Sequence, residues 1–353
     1  MPNGRDVSEE RPLREALLYE RLPSGRVRCN LCQRRCLIEP NGFGYCSVRI
    51  NRGGRLYTLV YGAISTYRPA PMEIKPLYHF HPGEWAFSLG SWGCNFRCLG
   101  CQNWEIAHIK LKGEGEKKGF LSPERAISMA KEQNCQGISF TYNEPTVWFE
   151  YTLDLAKLAR EARLHTSYIT NGFMTSEALD LIGPWLDAYR VDVKSFSSGF
   201  YRKIAQVDDF QGILKVTEMA KKKWEMHLEV VTNLVPGLND SPAELRELAR
   251  WIRERLGLDT PWHITRFFPY LSLSHLPPTP IQTLEKAREI GMEEGLWFVY
   301  LGNLHGHPSE NTYCPSCGEL LIERRNTHIL CYRIEGGGCP RCGRRIPIVG
   351  GNQ

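Results

Sequence analysis

Residues 84–104 read EWAFSLGSWGCNFRCLGCQNW. The opening run is apolar with strand character, and it leads directly into three cysteines spaced C-x3-C-x2-C at Cys94, Cys98 and Cys101. Three thiolates this close in sequence can wrap one iron–sulfur cubane and ligate three of its irons, leaving the fourth without a nearby protein ligand. A structural zinc closes with four ligands, so a lone three-cysteine loop suits zinc less well.

Downstream, six further strand-like runs follow: GISFTY, HTSYIT, AYRVDV, EMHLEVVT, HITRFF and LWFVYL. Amphipathic segments with helix-start signals separate them. Ser122-Pro123-Glu124 places an N-cap serine before a proline, and Ser241-Pro242-Ala243-Glu244 repeats that grammar with Glu244 completing a capping box. Strand–helix units at this spacing favour parallel pairing. The expected fold is α/β: a partial (β/α)6 TIM-like barrel over 84–303. A Cys-rich module with its linker (1–83) precedes it, and a zinc-ribbon-like module (304–353) follows.

Polar residues end successive runs: Gly93-Cys94, Asn143-Glu144, Thr170-Asn171-Gly172, Asp192-Val193-Lys194 and Thr232-Asn233. In a parallel barrel all strand C-termini open on one face, where active sites sit. Each group alone also reads as a turn or a helix cap. Five in succession point to one functional mouth.

The chain has 353 residues, 42% apolar and 24% charged, with a formal net charge of +5, the profile of an ordinary globular protein. No run approaches the ~18 apolar residues of a membrane span, and MPNGRDVSEERPLREALL lacks a secretory h-region. A cytoplasmic location without membrane partners is expected. The thirteen cysteines cluster at 29–46, 94–101 and 314–342, with Cys135 apart; in a reducing compartment that distribution indicates metal rather than disulfides.

The loop Gly93-Cys94-x-x-Arg97-Cys98-x-x-Cys101-x-Asn103 resembles that of radical S-adenosylmethionine (SAM) enzymes, in their pyruvate formate-lyase activase branch. The resemblance implies that the open iron is chelated by the amino and carboxylate groups of SAM, and that reductive cleavage gives methionine and a 5′-deoxyadenosyl radical. By the same resemblance, Asn143 and Glu144 occupy the place of a Gly-Gly-Glu motif that grips the SAM amino group, and Asp192 and Lys194 match an Asp-x-Lys whose lysine pairs with the carboxylate. Thr170 and Asn171 become candidates for ribose, and the stretch from Asn233 to Gly237 for adenine; His263 and Arg266 are weaker candidates. One departure is Gly100, where the family carries an aromatic residue near the adenine; Trp104 or Phe96 would have to compensate. Beyond the loop, TYNEPTVWFEY, GLNDS with HITRFFP, and GNLHGHPSENTYCPSC resemble the AmmeMemoRadiSam system radical SAM enzymes over residues 29–345. That implies Memo-like and AMMECR-type partner proteins and a reducing electron donor such as ferredoxin or flavodoxin.

Two cysteine sets flank the barrel. Cys314, Cys317, Cys339 and Cys342 form two C-P-x-C-G knuckles, a strong zinc-ribbon signal, with Cys331 left over as a packed thiol. Cys29, Cys32, Cys36 and Cys46 offer four thiolates that fit either zinc or a second iron–sulfur cluster, with zinc-like structural duty preferred. His79, His81, His305 and His307 read as packing residues. Residues 21–55 carry eight arginines against Glu39 alone, which keeps RNA as a secondary partner class. Alternatives to the leading function are a glycyl-radical-enzyme activase, a radical RNA-base modification enzyme, and a metal-binding scaffold without catalysis.

Overall fold

The computed structural model describes residues 13–110 and 119–350; the N-terminal stretch read for a secretory signal falls largely outside them. Its centre is an eight-stranded sheet. The strands are β1 (Thr66–Pro71), β2 (Trp85–Gly90), β3 (Gly137–Phe140), β4 (His165–Thr170), β5 (Ala188–Asp192), β6 (His227–Leu234), β7 (Trp262–Arg266) and β8 (Val299–Gly302). They lie in sequence order, β2 to β8 parallel and β1 antiparallel on β2. All seven strand-like runs are therefore strands, and the partial α/β barrel is the observed architecture.

The sheet begins earlier than the sequence reading placed it. β1 falls in the segment 1–83 taken as module and linker. Its sequence, TYRPAP, carries Pro69 and Pro71, which cannot donate to a ladder and mask strand character; an edge strand tolerates them.

Among the described residues, six α-helices of seven or more residues flank the sheet: α1 (Pro123–Glu132), α2 (Phe149–Glu161), α3 (Ser176–Ile182), α4 (Gln211–Lys222), α5 (Pro242–Trp251) and α6 (Ile281–Glu293). Ser122 Oγ accepts the Arg125 amide at 3.2 Å, as the N-cap reading expects. At α5 only half of the expected capping box forms. Ser241 Oγ accepts the Glu244 amide, but the Glu244 carboxylate turns away to accept Ser195 Oγ and the Phe196 amide. It thereby fixes the loop after β5, a tertiary demand that overrides the local motif.

Register sets the mouth. Leu89 pairs with Phe140, Phe140 with Tyr168, Thr170 with Val191, Asp192 with Val231, and Asn233 with Thr265. The polar strand ends therefore share one rim; Phe87, Ile138, Tyr168 and Val230 are buried on the face that packs against the helices, where Tyr168 Oη meets Thr152 of α2, while Ser139, Ser167, Arg190 and Glu229 alternate onto the inner face. The opposite end is closed by Glu229 on β6. Its carboxylate accepts the Tyr78 and His79 amides and bonds His227 and, at 2.6 Å, His263. The segment 312–350 packs there too. Its buried Arg324 donates to Tyr78 O at 2.9 Å and lies over the Tyr78 ring, while a cluster of Tyr78, Phe298, Tyr300, Leu321, Ile322 and Ile346 forms its core.

Candidate active site

The loop after β2 carries Cys94, Cys98 and Cys101, all partly buried. Gly93 starts it at φ +84°, a left-handed conformation natural to glycine. A Cβ there would stand 2.6 Å from Val48 Cγ1 and 2.8 Å from Cys46 O, so the glycine also permits close approach of the N-terminal segment. Arg97 holds the loop from within, donating to Cys94 O, Phe96 O and Tyr45 O at 2.8–3.0 Å. The Phe96 amide donates to Cys94 Sγ. Among the described residues, these three thiols do not converge within 4.8 Å of one another, whereas the C-terminal four do. Thiols that share one metal ion must converge; thiols on three corners of a cubane must stand apart. Burial pushes all three thiols up, Cys101 to about 11, so binding a metal there releases protons.

Around them lie the other strand-end residues. Asn143 latches the loop, its Oδ1 accepting the Ser91 amide at 2.9 Å and its Nδ2 donating to Gly93 O at 2.8 Å. Glu144 is buried. Its Oε1 accepts hydrogen bonds from the Thr146 amide, Thr146 Oγ1 and Thr170 Oγ1, and its Oε2 accepts the Asn171 amide. Burial raises its carboxyl pKa against those bonds. Asn171 Nδ2 donates to Asn95 Oδ1 at 2.8 Å, and the Gly172 amide donates to Thr170 Oγ1.

On the far side, Lys194 Nζ donates to Asp192 Oδ2 at 3.2 Å, and Asp192 also pairs with Arg190. Burial opposes the charge on Lys194, but the Asp192 carboxylate and the Cys98 thiol outweigh it and hold the ammonium protonated. Burial likewise opposes ionisation of Asp192, and Arg190 with Lys194 overcomes it. Tyr201, which sequence reading did not single out, accepts the Lys194 amide at 3.0 Å through its hydroxyl. Asn233 Nδ2 donates to Thr265 Oγ1 and Arg266 O, and Arg266 Nε to Thr279 O. His263 belongs to the closed end, not the mouth.

Gly100 has a local explanation. A Cβ there would meet Leu273 Cδ1 at 2.9 Å and Phe267 Cε2 at 3.4 Å, so those side chains fill the space beside residue 100. Phe96 is buried against Phe173, and Trp104 is exposed. Phe267 and Leu273, contributed after β7, escaped sequence reading because nothing local marks them.

At the C-terminus, Cys314 and Cys342 Sγ stand 3.5 Å apart and Cys317 and Cys339 Sγ 3.6 Å. A tetrahedron with Zn–S ≈ 2.3 Å has edges of about 3.8 Å. Cys331 lies outside this set and accepts from Arg333 Nε. His79 is buried and bonds Tyr300 Oη at 2.7 Å. His81, Glu84 and His165 bring donor atoms within 4.8 Å of one another at the closed end. No helix among the described residues is long and apolar enough to cross a membrane.

The sequence profile of the radical SAM superfamily matches residues 91–252. A protein of Methanocaldococcus jannaschii, described only as uncharacterized, is 41% identical over 339 residues, 96% of this chain and all of that one. The pyruvate formate-lyase-activating enzyme of Clostridium pasteurianum is 26% identical over 46% of this chain and 66% of its own length. Among solved structures, a radical SAM methyltransferase from Sphaerobacter thermophilus aligns with a TM-score of 0.46 at 15% identity, over 68% of this chain and 71% of that one.

Proposed function

The chain belongs to the radical SAM superfamily, and we propose on that premise that it is the radical-generating enzyme of an AmmeMemoRadiSam-type system, with SAM held across the mouth between Cys94, Cys98 and Cys101 on one side and Lys194 on the other. A 4Fe–4S cluster and SAM are the cofactors that membership implies, and three separated thiols suit three corners of a cubane. When bound, the cluster supplies the electron that cleaves the sulfonium bond and yields the 5′-deoxyadenosyl radical.

The chain's own residues bind and orient. Lys194, anchored by Asp192 and held protonated, offers its cation to the SAM carboxylate. Glu144 Oε2 accepts one hydrogen bond against three at Oε1, which leaves it acceptor capacity for the SAM ammonium. Asn143 and Asn171 brace the loop from behind, Thr170 stands beside them as the ribose candidate, and Asn233 lies on the rim as the adenine candidate. The observation that carries this reading is the shared rim: the loop of Cys94, Cys98 and Cys101 after β2, the buried Glu144 after β3 and the Lys194–Asp192 pair after β5 all follow parallel strands at the same end of the sheet, one anionic and one cationic partner for a zwitterionic ligand of the iron. Cys314, Cys317, Cys339 and Cys342 are proposed to hold a structural zinc, on the strength of their 3.5–3.6 Å pairs.

The proposed partners are Memo-like and AMMECR-type proteins, together with a one-electron donor such as ferredoxin or flavodoxin. A second reading, a glycyl-radical-enzyme activase, draws on the likeness to the Clostridium pasteurianum enzyme; the cysteine sets outside the barrel count against it. The test is SAM cleavage by anaerobically reconstituted protein, with and without the two partner proteins, followed by product identification. Release of 5′-deoxyadenosine with a new product only when the partners are present supports the system assignment. Glycyl-radical formation on an added glycyl-radical enzyme supports the second reading, and no cleavage at all overturns both.

A further inference from the structure

We propose that Cys29, Cys32, Cys36 and Cys46 hold a second four-iron cluster, fully ligated by cysteine, at the rim of the barrel mouth. The chain carries its own reference for what a mononuclear site looks like. The C-terminal four thiols converge within 4.8 Å of one another, with contacts of 3.5 and 3.6 Å; among the described residues the N-terminal four do not converge. They instead surround a cavity of about 20 Å³, together with Arg49 and Asn95. A sphere of water size needs sulfurs about 3.2 Å from its centre, whereas zinc draws them to about 2.3 Å. The thiols are thus set wider than a single zinc ion holds them, in the direction that the four corners of a cubane require.

A second observation is independent of the thiols. Arg49 is 1% exposed, and its Nη2 pairs with Glu150 at 2.6 Å, but its Nε and Nη1 are buried without a partner. Asn95 Nδ2 is likewise buried without one. Buried donors left without a partner in residues that border the cage are costly unless something accepts from them. The sulfides and thiolate sulfurs of an anionic cluster are such acceptors, and hydrogen bonds to sulfur are a recognised way of setting its potential.

The cage adjoins the other cysteine loop. Asn95, on its wall, follows Cys94 in the chain, and Gly93 packs against Cys46 O. Arg34 lies over the Tyr45 ring and donates to Asn95 O at 2.6 Å. On the other flank, the Gln33 amide donates to Phe173 O and Thr175 Oγ1 to Asn30 O.

The test uses the full-length chain with Cys94, Cys98 and Cys101 all changed to alanine, reconstituted anaerobically with iron and sulfide. Its retained zinc reports that it has folded. The expected result is about half of the wild-type iron, with matching sulfide and a reduced-cluster EPR signal that does not respond to SAM. Cys32→Ser with Cys36→Ser in the wild-type background should remove that signal and leave the SAM-responsive one. Loss of all iron from the triple variant, whether or not a second zinc per chain takes its place, overturns the proposal. Because the triple variant reads the N-terminal cage alone, that failure is distinct from a failure of wild-type protein to cleave SAM.

Discussion

Gly93 and Lys194 show how single residues carry the site. At Gly93 the left-handed backbone and a 2.6 Å approach to Val48 leave no room for a methyl group. Gly93→Ala is expected to cost about 1–3 kcal/mol and to lower iron loading, read by denaturant unfolding and iron analysis. Lys194→Ala should leave iron content unchanged and weaken SAM binding about 10- to 100-fold, the loss of one charge-assisted contact; equilibrium binding to the reconstituted protein measures it, and a fall in iron with unchanged affinity would refute the assigned role. The strand-end residues were legible in sequence because each follows an apolar run. Tyr201, Phe267, Leu273 and the bracing arginine Arg34 were not. Their contacts join distant segments, as when Arg34 meets Asn95 and Gln206, and no local pattern encodes that. The vacancy at Gly100 was visible; the side chains that fill it were not.

At the scale of elements, the apolar strand-like runs identified every parallel strand, while β1 stayed hidden behind two prolines and Glu244 left its capping box for a loop across the barrel. Propensity lost both times to tertiary packing. The stretch around His79 and His81, histidines read as packing residues, is pinned between the barrel's closed end and the C-terminal segment. His79 in it is held neutral: burial takes its pKa from 6.5 to about 3, with Glu229 only partly opposing. An unfolded chain protonates this histidine below pH 6.5 and the folded one does not, so its contribution to stability is lost as pH falls through that window. By pH 5 the loss is about 2 kcal/mol relative to pH 7.5. Denaturant midpoints at the two pH values should therefore differ less in His79→Gln than in wild type; equal slopes would mean that His79 is already charged in the fold.

Over the whole molecule, three cysteine sets occupy three settings: one in the mouth, one on its rim, and one against the closed end. The barrel and the clustering of the cysteines were plain in the sequence. The convergence of the C-terminal four was legible from the spacing of their paired knuckles, whereas the arrangement of the N-terminal four required their distances in space. Cys317→Ser should abolish metal binding at the proposed C-terminal site and open residues 312–350 to proteolysis, since the core there is small and the proposed metal would cross-link it, while iron content and SAM binding persist. Co-loss of iron would tie that segment to the mouth more closely than its position allows. The central claim is the iron corner that Cys94, Cys98 and Cys101 leave to SAM. The most direct measurement is Mössbauer spectroscopy of 57Fe-reconstituted protein, with and without SAM, in a Cys32→Ser/Cys36→Ser background that leaves only the mouth cluster. The account predicts that one iron site in four changes its isomer shift when SAM binds and that Lys194→Ala blunts the change; a spectrum indifferent to SAM at saturating concentration would contradict it.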